Sequence, residues 1–183
     1  MQRVSAATKP AIFKRFRPHY MADNVMDIDF AQLKREGVEY VALDIDSTLV
    51  NYGEISLLPA TQKYLRQQVD TGVIKQLLIA TNRRKRNVSA MATSINATVV
   101  QAGRISRKPR RSYFRTVIKQ LDCQPEAIAM VGDKLFIDVY GGNRVGMKTI
   151  LVKRLGKDSL FERFIPFRAL EYAIIKYFFK LST

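Results

Sequence analysis

From Tyr40 onward the chain alternates between two patterns. Short runs dense in Val, Ile and Leu are separated by stretches whose apolar residues return at helical spacing. The runs predict strands at 40–45, 74–81, 97–101, 127–131 and 148–153. The intervening stretches predict helices at 59–71 and 109–121, each opened by a proline whose missing N–H is harmless in a first turn, and further helical segments at 87–94 and 136–144. A short helix at 29–36 ending at Gly37 precedes this unit. Alternation of this kind predicts an α/β fold, with a central parallel sheet of about five strands and helices on both faces. The division expected is a basic N-terminal arm with its short helix (1–37), a core (38–155), and an apolar and basic helical extension (156–183). In that extension Leu170, Ile174, Tyr177, Phe178 and Leu181 form a helical stripe with Lys176 and Lys180 off it. The stripe suits packing on the sheet or lying on a membrane interface.

Composition narrows the class. At 183 residues, 47% apolar with nine glycines, the chain suits one domain and excludes disordered and collagenous classes. Cys123 stands alone and there is one histidine, which leaves neither an internal disulfide nor a His/Cys zinc site; a bound metal should be a hard one held by oxygen. The beginning of the chain is basic but has no continuous apolar segment, so no secretory signal is expected. No apolar run reaches the roughly 20 residues of a membrane span. The expected location is cytoplasmic, with peripheral attachment to the inner face of the membrane as an extension. The net charge is +15, and no acidic residue occurs between Asp70 and Asp122, an interval containing the run Arg83 to Arg86 and a second cluster from Arg104 to Arg111. So one-sided a block indicates an anionic partner: a phosphorylated substrate, an acidic membrane surface or nucleic acid.

Ligands of parallel sheets collect beyond the carboxyl ends of the strands. There the expected strands deliver Asp44 and Asp46, then Thr81 and Asn82, then Arg107 and Lys108, then Gly132 and Asp133. Taken singly, an Asp pair or a Gly-Asp step suits a turn, and Thr81-Asn82 suits a helix cap. A calcium loop is excluded because Leu49 and Val50 interrupt its oxygen ligands. Lys108 at a helix start is disfavoured by the macrodipole unless an anion offsets it.

With these residues in this order, the chain resembles the haloacid dehalogenase superfamily of phosphotransferases. Asp44-Ile45-Asp46-Ser47-Thr48-Leu49 matches the first motif, Thr81-Asn82 the second, Lys108-Pro109 the third, and Gly132-Asp133 with Asp138 the fourth. The resemblance implies a three-layer, Rossmann-like fold and a site in which Asp44 is the nucleophile and Asp46 the general acid and base. Thr81 would donate to a phosphoryl oxygen, and Lys108 would neutralise charge. It further implies Mg²⁺ held by Asp44, the backbone carbonyl of Asp46 and Asp133, with Asp138 an additional ligand or the holder of a metal-bound water. Ser47, Thr48, Asn82 and Arg83 are expected to contact the phosphate or the rest of the substrate.

Between the first and second motifs there is room for only a short flap and one helix, and between the second and third for only a helix and a strand. No cap domain is expected. The segments 26–50 and 131–152 are similar to the YqeG branch of capless class IIIA phosphatases, which includes phosphatidylglycerophosphate phosphatases. Ser47 stands where asparagine is common there. That resemblance implies removal of the terminal phosphate of phosphatidylglycerophosphate, with a phospholipid head group as substrate. The alternatives are a phosphatase of nucleotide or nucleic-acid phosphates, for which Tyr113 and Phe114 would stack on bases unless their helix turns them into the core, and a catalytically silent RNA- or ribosome-binding relative.

Overall fold

The computed structural model describes residues 1–3, 11–83, 88–100, 106–156, 170–171 and 173–176. Its centre is a sheet of seven strands: β1 (Gln2–Arg3), β2 (Tyr20–Ala22), β3 (Tyr40–Leu43), β4 (Gln76–Ile79), β5 (Ala97–Val99), β6 (Ile128–Gly132) and β7 (Lys148–Val152). The spatial order is β1-β2-β7-β6-β3-β4-β5, and every pairing is parallel except β1 with β2. The five strands expected from apolar runs form the contiguous part β7-β6-β3-β4-β5. The sheet is wider than expected because β2 pairs with β7 and carries β1 on its outer edge. A three-residue strand is too short to show alternation, and its partner lies some 130 positions later, so nothing local marked it.

Strand residues alternate cleanly between the faces. Val41 and Leu43, Leu77 and Ile79, and Ala129 and Val131 pack with α1 (Phe30–Arg35), α2 (Pro59–Asp70) and α3 (Val88–Ser94). Ala42, Leu78 and Met130 face α4 (Arg111–Leu121), whose Tyr113, Phe114, Val117 and Leu121 close the second layer. Burial on both faces explains why these strands read as continuous apolar runs. Local chemistry sets the helix ends. The Asp29 side chain accepts from Gln32 N at 2.8 Å to cap α1, and Gly37 takes φ +87° just beyond it. Pro59 opens α2 as expected, whereas α4 begins at Arg111, two residues after Pro109.

The segment expected as one helix at 136–144 is a π-helical turn, Leu135–Val139, running into α5 (Tyr140–Asn143). Part of the C-terminal extension rests on it. Ile174 packs with Leu135, Val139 and Leu151, and Glu171 accepts from Phe136 N at 2.9 Å, while Leu170 is half exposed. Tyr177, Phe178 and Leu181 lie outside the described residues.

The chain runs from β3 to β4 and β5 on one side, then crosses back to β6 and β7 on the other. The strand order therefore reverses between β3 and β6, and the crevice opens where their carboxyl ends diverge.

Candidate active site

Asp44 follows β3 directly, and its N–H continues the ladder to Val131 O at 3.0 Å. Asp133 follows β6, and Asp138 sits in the π-helical turn. All three are buried, and oxygens of the three carboxylates lie within 4.8 Å of one another. Lys108 reaches into this group, with Nζ 2.9 Å from Asp44 Oδ1 and 2.6 Å from Asp138 Oδ1. The second Asp138 oxygen accepts from Lys134 N at 3.2 Å. Arg154 approaches Asp133 at 3.6 Å from beyond β7.

Burial alone pulls the Lys108 ammonium down, but the Asp138 and Asp44 carboxylates outweigh it and leave its pKa above the ordinary lysine value. Burial pushes Asp138 up, to about 7, with Asp44 and Asp133 adding to the rise and Lys108 opposing it. When all three carboxylates are ionised they exceed the one ammonium and the more distant guanidinium by one negative charge. An all-oxygen donor set with surplus negative charge fits a hard divalent cation such as Mg²⁺.

Asn82 fixes the Lys108 backbone rather than only facing the cleft. Its Oδ1 accepts from Lys108 N at 2.9 Å and its Nδ2 donates to Lys108 O at 3.0 Å. Two carboxylates are the offset that a lysine near the start of α4 requires. Thr81 lines the cleft; its Oγ1 accepts from Arg83 N at 3.1 Å, and its carbonyl accepts from Tyr113 Oη at 3.2 Å.

Asp46 stands on the wall of the same cleft. Arg83 grips it with Nε to Oδ2 at 3.0 Å and Nη2 to Oδ1 at 2.5 Å, and Gly53 N donates to Oδ1 at 3.2 Å. Ser47 and Thr48, expected to contact the phosphate or the rest of the substrate, lie deeper than the cleft wall. Both are fully buried and outside the cleft lining, and their hydroxyls have no hydrogen-bond partner among the described residues. Ser47 has φ +62°, the left-handed region that asparagine enters more easily than serine, which gives a backbone reason for asparagine at this position.

The cleft encloses about 470 Å³ and is lined by Asp44, Asp46, Thr81, Asn82, Arg83 and Lys108 together with Tyr52, Gly53, Arg107, Lys134 and Ile137. Tyr52, Gly53, Lys134 and Arg154 were not singled out from sequence. Arg154 had a usable signal, a cation just past the last parallel strand. Tyr52 and Gly53 had none, because they reach the mouth only through the path of the flap. Arg84, Lys85 and Arg86 lie outside the described residues. Tyr113 and Phe114 are buried against the sheet and present no stacking surface.

A family profile described as HAD-hydrolase-like matches residues 105–160. The chain is 27% identical over 152 residues to the probable phosphatase YqeG of Bacillus subtilis, covering 82% of this chain and 86% of that protein. It is also 27% identical over 166 residues to phosphatidylglycerophosphate phosphatase 1 of Arabidopsis thaliana, covering 87% of this chain; it spans about half, 47%, of that longer protein. Among solved structures, an uncharacterised protein from Listeria monocytogenes superposes with a TM-score of 0.52 at 17% identity, over 67% of this chain and 84% of that one, a likeness of fold alone. The sequence motifs, the carboxylate and lysine cluster at the sheet's switch point, and the similarity to YqeG along most of both chains converge on one likeness: this chain is similar to the phosphatases of the haloacid dehalogenase superfamily, and along most of its length to YqeG.

Proposed function

We propose that this phosphatase hydrolyses a phosphomonoester on a lipid head group, converting phosphatidylglycerophosphate to phosphatidylglycerol and phosphate. The observation that carries the reading is the open cleft: Asp44 and Lys108 lie at its floor, while Arg83, Arg107 and Lys134 line it without any cap among the described residues. A capless site suits a phosphate presented from a surface. The similarity to the Arabidopsis enzyme supports this substrate class.

In the proposed mechanism an Asp44 oxygen attacks phosphorus, the bond from phosphorus to the leaving oxygen breaks, and Asp46 supplies a proton to the departing alkoxide. Water then attacks the aspartyl-phosphate, Asp46 takes its proton, and phosphate leaves Asp44 free. For this Asp46 must exchange its Arg83 contacts for the reacting oxygens. Lys108 holds Asp44 in line and offsets phosphoryl charge, and Thr81 donates to a phosphoryl oxygen. Asp44 and Asp133, with the Asp46 carbonyl, would hold Mg²⁺, which when bound supplies electrostatic stabilisation of the transferring group.

The test compares phosphate release, with and without Mg²⁺, from phosphatidylglycerophosphate liposomes, 5′-phosphorylated oligonucleotides and small sugar or nucleotide phosphates. Liposomes should be preferred, and Asp44→Asn should lower the rate by about 10⁴-fold or more. Preference for oligonucleotide ends would overturn the lipid assignment, and the absence of release from every substrate would favour a silent binding protein.

A further inference from the structure

Among the described residues, five large apolar side chains are exposed, and three of them fall in one short loop: Tyr52 (58%), Ile55 (61%) and Leu58 (69%). That loop forms one lip of the active-site mouth, since Tyr52 and Gly53 line the cleft. Scattered exposed apolar residues are ordinary, but a cluster at a site entrance is not.

The loop is held in this shape. Asn51 N and Nδ2 donate to the Glu54 carboxylate at 3.0 and 2.8 Å, and Glu54 N returns a bond to Asn51 O at 3.1 Å. Gly53 takes φ +85° at the bend, and Arg83 Nη1 donates to Glu54 O at 2.6 Å. Leu57 is buried in the core and anchors the far end. With its neighbour facing inward and its backbone pinned, the lip presents Ile55 and Leu58 to solvent without being free to fold them away.

We infer that this lip docks on an anionic bilayer, with Ile55 and Leu58 entering the acyl boundary, Tyr52 at head-group level, and the cleft facing the lipid phosphates. Charge selects this occupant. The cations Arg107 and Lys134 line the same mouth, beside an Arg83 whose charge is matched by Asp46, and the chain carries a net charge of +15. An acidic surface complements that rim, whereas a second copy would set like charges against each other. Aromatic and aliphatic side chains flanked by cations are the combination that partitions into a membrane interface. The inference rests on the lipid reading above and extends it: the substrate is hydrolysed where it lies, without extraction from the bilayer.

The chain contains no tryptophan, so Leu58→Trp gives a fluorophore without background. With phosphatidylcholine vesicles containing phosphatidylglycerol, its emission should shift to the blue and be quenched by brominated acyl chains; with phosphatidylcholine alone it should change little. The full-length variant Ile55→Ser/Leu58→Ser should hydrolyse p-nitrophenyl phosphate within about twofold of wild type, which shows that it is folded. Its vesicle binding and its rate on vesicle-borne phosphatidylglycerophosphate should fall by about tenfold or more, and detergent-dispersed substrate should restore the rate. Unshifted emission while vesicle-borne lipid is still hydrolysed overturns the docking surface and leaves the substrate assignment standing. Shifted emission without release of lipid phosphate supports the surface and removes the substrate assignment. If the double variant instead turns a dimer into a monomer in sedimentation and binds vesicles as wild type does, the lip is a contact between copies and the inference fails.

Discussion

Replacing Lys108 by methionine tests the central electrostatic claim, that one buried ammonium holds the carboxylate cluster together. The Lys108 and Asp138 side chains are each 1% exposed and Asp44 is 8% exposed, with the ammonium 2.6 and 2.9 Å from its two partners. Removing one member of such a group leaves its partners buried and uncompensated, which typically costs about 3–5 kcal/mol. Against a total stability of about 5–15 kcal/mol that is a large fraction. The cost depends on pH with a definite sign. The Asp138 pKa is already raised to about 7, above its unfolded value, and loss of Lys108 raises it further. A folded state that binds the proton more tightly than the unfolded state is stabilised at low pH and loses that stability as pH rises through the folded pKa. The variant's deficit should therefore be about 3–5 kcal/mol at pH 8 in chelator-treated buffer and clearly smaller at pH 5.5, where the proton replaces the lost ammonium. Urea unfolding followed by circular dichroism measures it, with Asp138→Asn added to Lys108→Met as the second arm. The double variant should recover at least half of the loss. A deficit below about 1 kcal/mol at pH 8, equal deficits at both pH values, or no recovery in the double variant would each refute the reasoning.

Further outcomes follow from other contacts. A Cβ on Gly132 would lie 2.3 Å from Asp138 Cγ and Oδ2, so Gly132→Ala should displace that carboxylate, cost about 1–3 kcal/mol in urea unfolding and reduce turnover by roughly tenfold or more. His19 Nδ1 accepts from Thr149 N at 3.1 Å, and burial followed by the Lys148 charge lowers its pKa to about 4. The unfolded state then binds more protons between about pH 6.5 and 4, so the His19 contribution is complete above that window and lost as pH falls through it. Discounted for the exposed part of the ring, this loss is about 1–2 kcal/mol, read as a gap between wild type and His19→Gln that closes from pH 7.5 to 4.5. Arg83→Gln removes the guanidinium from both Asp46 and Glu54 O, and should speed amide exchange at residues 51–54 while lowering kcat/KM on vesicle-borne lipid about tenfold or more.

Much of this protein could be read along the chain. The strands from β3 to β7 are buried on both faces and so appear as apolar runs. The helices announce themselves by spacing and by Asp29, Gly37 and Pro59 at their ends, and both signals act within a few residues. The motif residues were legible for the same reason: once the strands are parallel, everything just beyond their carboxyl ends meets at one edge, so Asp44, Thr81, Lys108 and Asp133 converge from distant positions. Other features depended on residues brought together by folding. Strand β2 exists because β7 presents an open edge to it. Asn82 is a brace for Lys108 as well as a cleft residue, and Ser47 is buried in a left-handed turn outside the cleft lining. The Arg83 grip on Asp46, the approach of Arg154 to Asp133 and the outward-facing lip at Tyr52, Ile55 and Leu58 likewise left no local trace. Periodicity and capping are encoded by neighbours in sequence, so the chain itself determined the layers and the chemistry of the strand ends. Ion-pair partners, edge pairing and the face a loop turns to solvent depend on distances between remote segments, and those only the tertiary structure decided.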